Sequence, residues 1–144
     1  MTRIGLTMAM AMLAVLGAMS ACVDVHGGAV ELAWSLRRSE GVSSVQTDCA
    51  SEHLAEVRLR GESDDGASRF AESWACDRSY GTTLFAIAEG RYSLSIEALC
   101  PVTIEPARVV VPDPIVRDVV EGEVVNLNSL LILVVAGAEN ACDL

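Results

Sequence analysis

The sequence predicts an all-β fold: a single antiparallel β-sandwich of about seven or eight short strands over residues 29–144. Three observations predict it. Apolar residues recur at a period of two from Ala29 onward. Turn residues interrupt them at intervals of roughly 8–15 residues, and no helical period persists beyond the first 21 residues.

Taken in order, Val30, Leu32, Trp34 and Leu36 alternate with Glu31, Ala33, Ser35 and Arg37, the pattern of a half-buried strand. Residues 39–49 are polar and bear Ser and Gly, and read as a loop. Ala55, Val57 and Leu59 alternate with Glu56, Arg58 and Arg60 in a second strand. The run Gly61-Glu62-Ser63-Asp64-Asp65-Gly66 is turn chemistry, and residues 68–76, carrying Phe70 and Trp74, form a third strand. Thr83–Ile87 and the turn Ala88-Glu89-Gly90 lead into the clearest strand of all. Tyr92, Leu94, Ile96 and Ala98 share one of its faces, and Arg91, Ser93, Ser95 and Glu97 the other. These two strands read as a hairpin.

Val102–Ile104 and Val109–Val111 are short strand candidates, confined to edges and connections by Pro101, Pro106, Pro112 and Pro114. Residues 115–120 and 124–135, joined through Glu121-Gly122, read as a second hairpin. Leu130–Val135 is apolar on both faces, as a central strand is. Trp34 and Tyr92 fall in phase with the core residues, so the aromatic side chains are expected inside.

The N-terminus is of another kind. Met1-Thr2-Arg3 carries one positive charge, and Ile4–Met19 then runs without any, followed by the small residues Ser20 and Ala21 and then Cys22. This is the polarity of a secretory leader. Met19-Ser20-Ala21-Cys22 resembles the lipobox of bacterial lipoproteins, with Met19 where Leu is commonest, a residue of similar size and polarity. The resemblance implies a helical signal peptide over 1–21, with Met19, Ser20 and Ala21 read by the signal peptidase and cleavage before Cys22. It further implies a diacylglycerol on the Cys22 thiol and an amino group that is often acylated as well. Residues 22–28, with His26-Gly27-Gly28, are then a short flexible tether from the lipid to a single domain. Each buried methylene contributes about 0.8 kcal/mol, so two or more acyl chains hold a protein stably where one is marginal. Val23 rather than Asp follows the cysteine, which by the same resemblance points to the outer membrane of the cell envelope rather than the inner.

The formal charge is −10, from 20 acidic residues against ten basic ones, all of them Arg. Such a chain repels phosphate backbones, so no nucleic-acid partner is expected. Nor is it drawn electrostatically to anionic lipid, so membrane attachment must be covalent or hydrophobic.

Cys49, Cys76, Cys100 and Cys142 remain after Cys22. An even number in an exported chain points to two structural disulfides, for which three pairings exist. If residues 54–60 and 68–76 form a hairpin, Cys49 and Cys76 lie at the same end of it. That favours Cys49–Cys76 and leaves Cys100–Cys142 to tie the C-terminus to the end of the Tyr92 strand.

Little else carries chemistry. His26 and His53 fall short of the three or four ligands of a zinc site, even with His53 four residues after Cys49. Glu62, Asp64 and Asp65 offer oxygen ligands in a turn but lack the spacing and closing Glu of an EF-hand, and read as a solvated acidic loop. There is no Gly-x-Ser-x-Gly and no phosphate-binding loop. The expectation is no catalytic residue, no metal, and no cofactor beyond the acyl groups on Cys22.

Thr83–Ile87 followed by Gly90-Arg91-Tyr92 and the alternation to Ala98 resembles the transthyretin-like and carboxypeptidase-regulatory-like β-sandwich modules. The resemblance implies a core hairpin whose Tyr packs across the sheet, in a unit that is mostly non-catalytic, accessory or adhesive. The sequence therefore predicts a membrane-anchored, non-enzymatic envelope component with a structural, interaction or accessory role and an envelope protein as partner. The alternative is a module that captures a ligand or inhibits an enzyme, using a pocket or a rigid loop such as Glu62–Gly66. A hydrolase without a recognisable motif stands behind both.

Overall fold

The computed structural model describes residues 26–101, 107–135 and 140–142. The leader, the lipobox Met19–Cys22 and the strand candidate Val102–Ile104 lie outside the described residues. Among the described residues nine strands follow one another: β1 (Ala29–Glu40), β2 (Ser43–Gln46), β3 (Glu56–Ser63), β4 (Arg69–Ala75), β5 (Tyr80–Thr82), β6 (Gly90–Leu99), β7 (Val109–Val110), β8 (Ile115–Val119) and β9 (Val124–Val134). A 3-10 turn, Cys76–Arg78, joins β4 to β5.

The strands form two sheets. One has the order β4-β3-β6-β8 and is antiparallel throughout. The other runs β2-β1-β9-β7, with β5 on the first half of β1 and β2 on its second half. Within it β1 and β9 are parallel, paired from Ala29 opposite Val124 to Arg38 opposite Val134 with one slip in register after Glu31. The fold is thus the expected all-β sandwich, with one parallel pair at its centre.

The inward faces follow the period-two reading. Val30, Leu32, Trp34 and Leu36 of β1 and Leu127, Leu130, Ile132 and Val134 of β9 meet Val57 and Leu59 of β3 and Tyr92, Leu94, Ile96 and Ala98 of β6. Each Val, Leu or Ile side chain among them, once buried, contributes about 1.5–3 kcal/mol. Trp34 and Trp74 stack with centroids 6.2 Å apart, and the Trp34 indole N–H donates to the Cys76 carbonyl at 2.8 Å. Gly81 makes room for this pair, because a Cβ there would lie 2.3 Å from the Trp74 ring.

Four expectations are corrected. Ser43–Gln46, read as loop, is a short edge strand returned against β1 by a turn at Gly41, whose φ is +64°. Thr83–Ile87 is not a strand; β5 lies just before it, and only Ile87 makes a bridge, to Gly28. The predicted hairpin with Tyr92 is therefore absent: β5 pairs with β1, whereas β6 pairs with β3 and β8 in the other sheet. The second predicted hairpin fails likewise, with β8 on β6 and β9 on β1. Both Glu-Gly turns reverse the chain and carry it across the sandwich instead of along one sheet.

Candidate functional site

The two outer faces differ in chemistry. On the four-stranded sheet, outward side chains form a lattice of charge. Arg60 and Arg58 approach Glu97 at 2.9 and 4.0 Å, Arg69 meets Glu62 at 2.6 Å, and Arg91 meets Asp64 at 3.4 Å. This face is adapted to water.

The five-stranded sheet presents an apolar stripe. Ladder positions place Tyr80 beside Ala33, Ala33 beside Ser129, Ser35 beside Leu131, and Arg37 beside Leu133, which in turn neighbours Val110. Tyr80, Val110, Leu131 and Val135 are 57, 56, 45 and 44% exposed. The Arg78 guanidinium sits 5.1 Å over the Tyr80 ring. Leu130–Val135 is therefore one-sided: Leu130, Ile132 and Val134 are core, while Leu131 and Val135 face outward. A bulge in β9 sets this phase. The register slips between Asn126 and Ser129, Asn128 takes φ +61°, and the Asn126 carboxamide accepts the Asn128 N–H at 2.6 Å while donating to Glu31 at 2.5 Å.

One end of the sandwich receives the chain from its N-terminal side. Gly28 exchanges backbone hydrogen bonds with Ile87, Gly122 N–H donates to the Gly27 carbonyl at 3.0 Å, and Ala29 N–H to Glu123 at 2.9 Å. A Cβ on Gly28 would lie 2.5 Å from a Val119 methyl, and one on Gly27 2.5 Å from the Ile87 carbonyl oxygen, so both must be glycine. The expectation of a free tether through residue 28 is thus corrected: Gly27 and Gly28 are clamped parts of the domain, between the 83–89 and 120–124 connections. Those connections carry Leu84, Phe85, Val120 and Val124, all exposed, with Leu84 at 76%.

The opposite end holds both disulfides. Cys49 is bonded to Cys76 and Cys100 to Cys142, the pairing that the position of the 54–76 hairpin favours. The loop that carries Cys49 also buries a carboxylate. Glu52 is fully buried, receives Arg38 through Nε at 2.9 Å and through its terminal nitrogen, and accepts the Thr47 hydroxyl at 2.7 Å. Asp48 caps the same loop by accepting the Ser51 N–H at 2.8 Å; that bond and the Ser51 hydroxyl hold its carboxyl below the ordinary carboxylate range.

Sequence reasoning missed the Arg38–Glu52 pair, although a signal was present. Arg38 continues the buried phase of Val30, Leu32, Trp34 and Leu36, and a cation in that phase requires an anion beside it.

At the acidic turn, Glu62 and Asp64 are held by Arg69 and Arg91. Asp65 accepts the Ser63 hydroxyl at 2.6 Å and the Ala67 N–H at 3.0 Å, which together keep its carboxyl low. These carboxylates are engaged in folding the turn. Among the described residues, no three His, Cys, Asp or Glu side chains gather as metal ligands would, and His26 and His53 are both exposed. No described helix is long and apolar enough to cross a membrane.

Neither a protein-family model nor a curated protein matches the chain. Among solved structures, GBS52, the minor pilin of the gram-positive pathogen Streptococcus agalactiae, is similar with a TM-score of 0.40 at 12% identity. The match covers 74% of this chain, which spans 44% of that one.

Proposed function

We propose that the chain is a lipid-anchored, non-catalytic envelope domain that presents the outer face of its five-stranded sheet to a protein partner. The contrast between the two outer faces carries this reading: one is laced with ion pairs, and the other exposes Tyr80, Val110, Leu131 and Val135 in a stripe interrupted by Ser35, Arg37 and Ser129. Anchoring rests on the lipobox resemblance at Met19–Cys22, with a membrane of the cell envelope as its site and the outer membrane favoured. The non-catalytic reading is supported by the engagement of the domain's cysteines in disulfides and of its acidic turn in ion pairs and caps.

The test is affinity capture of a C-terminally tagged chain at native abundance from detergent-solubilised membranes. The reading expects one envelope protein in near-stoichiometric amount, lost in a Val110→Ser/Leu131→Ser variant that melts like the native protein. A chain that emerges alone overturns the interaction role. Firm membrane fractionation of a Cys22→Ser form overturns the anchor.

A further inference from the structure

We propose that the Leu84–Phe85 loop tip, together with Val120 and Val124 across the gripped Gly27–Gly28 segment, is a membrane-contact site that seats on the lipid surface holding the anchor. The inference deepens the anchoring reading and rests on it. Its own support is the geometry of one end of the sandwich. The chain enters there at Gly27–Gly28, gripped on one side by Ile87 and on the other by Gly122 and Glu123. The two connections that grip it are the ones that expose Leu84, Phe85, Val120 and Val124.

The length of chain between anchor and grip decides how far this end can stand from lipid. Six residue steps separate Cys22 from Gly28, and a fully extended chain covers at most about 3.3–3.6 Å per step, so the reach is roughly 20 Å. The gripped strand end, and with it the loop tip, stays within that distance of the headgroups. An exposed Leu-Phe pair so confined finds its apolar environment in the interface, where amphipathic segments seat roughly 5–10 Å into the headgroup and acyl boundary. The partner is specified further by charge. Glu89, Glu121 and Glu123 lie in the same connections, while Asp64 at the same end is paired with Arg91. This end is repelled by anionic lipid, so the contact is apolar and made with zwitterionic lipid. The charge lattice and the apolar stripe then stand upright on the membrane, with the disulfides and the β1–β2 turn farthest from it.

The test uses the full lipidated chain in phosphatidylcholine vesicles whose acyl chains carry bromine, a contact quencher of indole. Trp34 and Trp74 are buried in the core, so the native chain supplies a constant background. Phe85→Trp reports on the tip, and Val42→Trp reports on the fully exposed turn at the far end. The expected result is loss of the added Phe85→Trp emission, because seating at the headgroup and acyl boundary brings the indole to the brominated chains, with no loss from Val42→Trp. That loss should persist in high salt and shrink when anionic lipid is added. If the lipidated chain floats with the vesicles and Phe85→Trp is quenched no more than Val42→Trp, the tip site is overturned and the anchor stands. If the chain carries no lipid and does not float, both readings are overturned.

Discussion

Arg38, on the last inward position of β1, places its guanidinium against the fully buried carboxylate of Glu52, fourteen residues further along. The pair fastens the 47–55 loop to the rim of the core, where Cys49 is also bonded to Cys76. Truncating Glu52 removes the buried carboxylate that accepts Arg38 and the Thr47 hydroxyl, and a hydrogen bond to a charged group contributes about 1.5–3 kcal/mol. Glu52→Ala is expected to lower the unfolding free energy measured in urea by about that amount, with a lower midpoint and an unchanged m-value. An Arg38→Met/Glu52→Leu variant should recover most of the loss, because it removes both desolvated charges. Equal loss in the single and double variants would trace the cost to lost packing of the loop rather than to the charge pair.

Gly81 and Trp74 form a second test of close packing. A methyl at position 81 would meet the Trp74 ring at 2.3–2.5 Å, and Trp74 is pinned against Trp34. Overpacking of this kind destabilises by about 1–3 kcal/mol. Gly81→Ala should therefore lose stability and alter the near-ultraviolet circular dichroism of the Trp pair. Trp74→Leu in the same chain should cost less than the sum of the two changes.

These two relationships mark what was legible in the sequence and what was not. The buried faces of β1, β3 and β6 could be read directly, because alternation in sequence and alternation in burial are the same periodicity. Partner choice could not. Ala88-Glu89-Gly90 and Glu121-Gly122 announce a reversal of direction, but a reversal within one sheet and a crossing between two use the same turn residues. Only the packing of Ile87 on Gly28 and of β8 on β6 decides between them. β2 was invisible for a different reason: Ser43–Gln46 is an exposed edge strand, held by ladder hydrogen bonds and a turn, with no apolar pattern to display. Of the candidate surface, the apolar run around Leu131 was apparent. Its exposure was not, since it depends on β9 having one face uncovered.

The disulfides should contribute unequally. Loop closure over 27 and 42 residues constrains the unfolded chain by about 3.5 and about 4 kcal/mol in the chain-entropy account. Replacing Cys100 and Cys142 by Ala is expected to shift the unfolding midpoint by the larger amount. Replacing Cys49 and Cys76 should in addition loosen the Glu52 loop, seen as faster amide exchange at Leu54 and Ala55, whose N–H groups bond to Cys49 and Leu99. Uniform exchange across the domain would contradict that local effect.

Asp48 and Asp65 contribute to stability in acid. Both carboxyls are held below the ordinary value of 3.8, Asp48 by the Ser51 N–H and hydroxyl and Asp65 by the Ser63 hydroxyl and the Ala67 N–H. A carboxyl depressed on folding stabilises fully above its unfolded value, and that contribution is lost as pH falls through the folded one. Urea midpoints measured from about pH 5 down to about pH 2 should fall, and fall less steeply in an Asp48→Asn/Asp65→Asn variant. Parallel curves for the two proteins would rule out these carboxyls as the source.

The parallel pairing of β1 with β9 sets how the domain bears load. With the proposed tether leaving from the start of β1 and the proposed partner seated near the end of β9, tension between membrane and partner runs along the strands. The nine paired positions from Ala29–Val124 to Arg38–Val134 then resist it together, in shear, rather than parting one after another like the teeth of a zip.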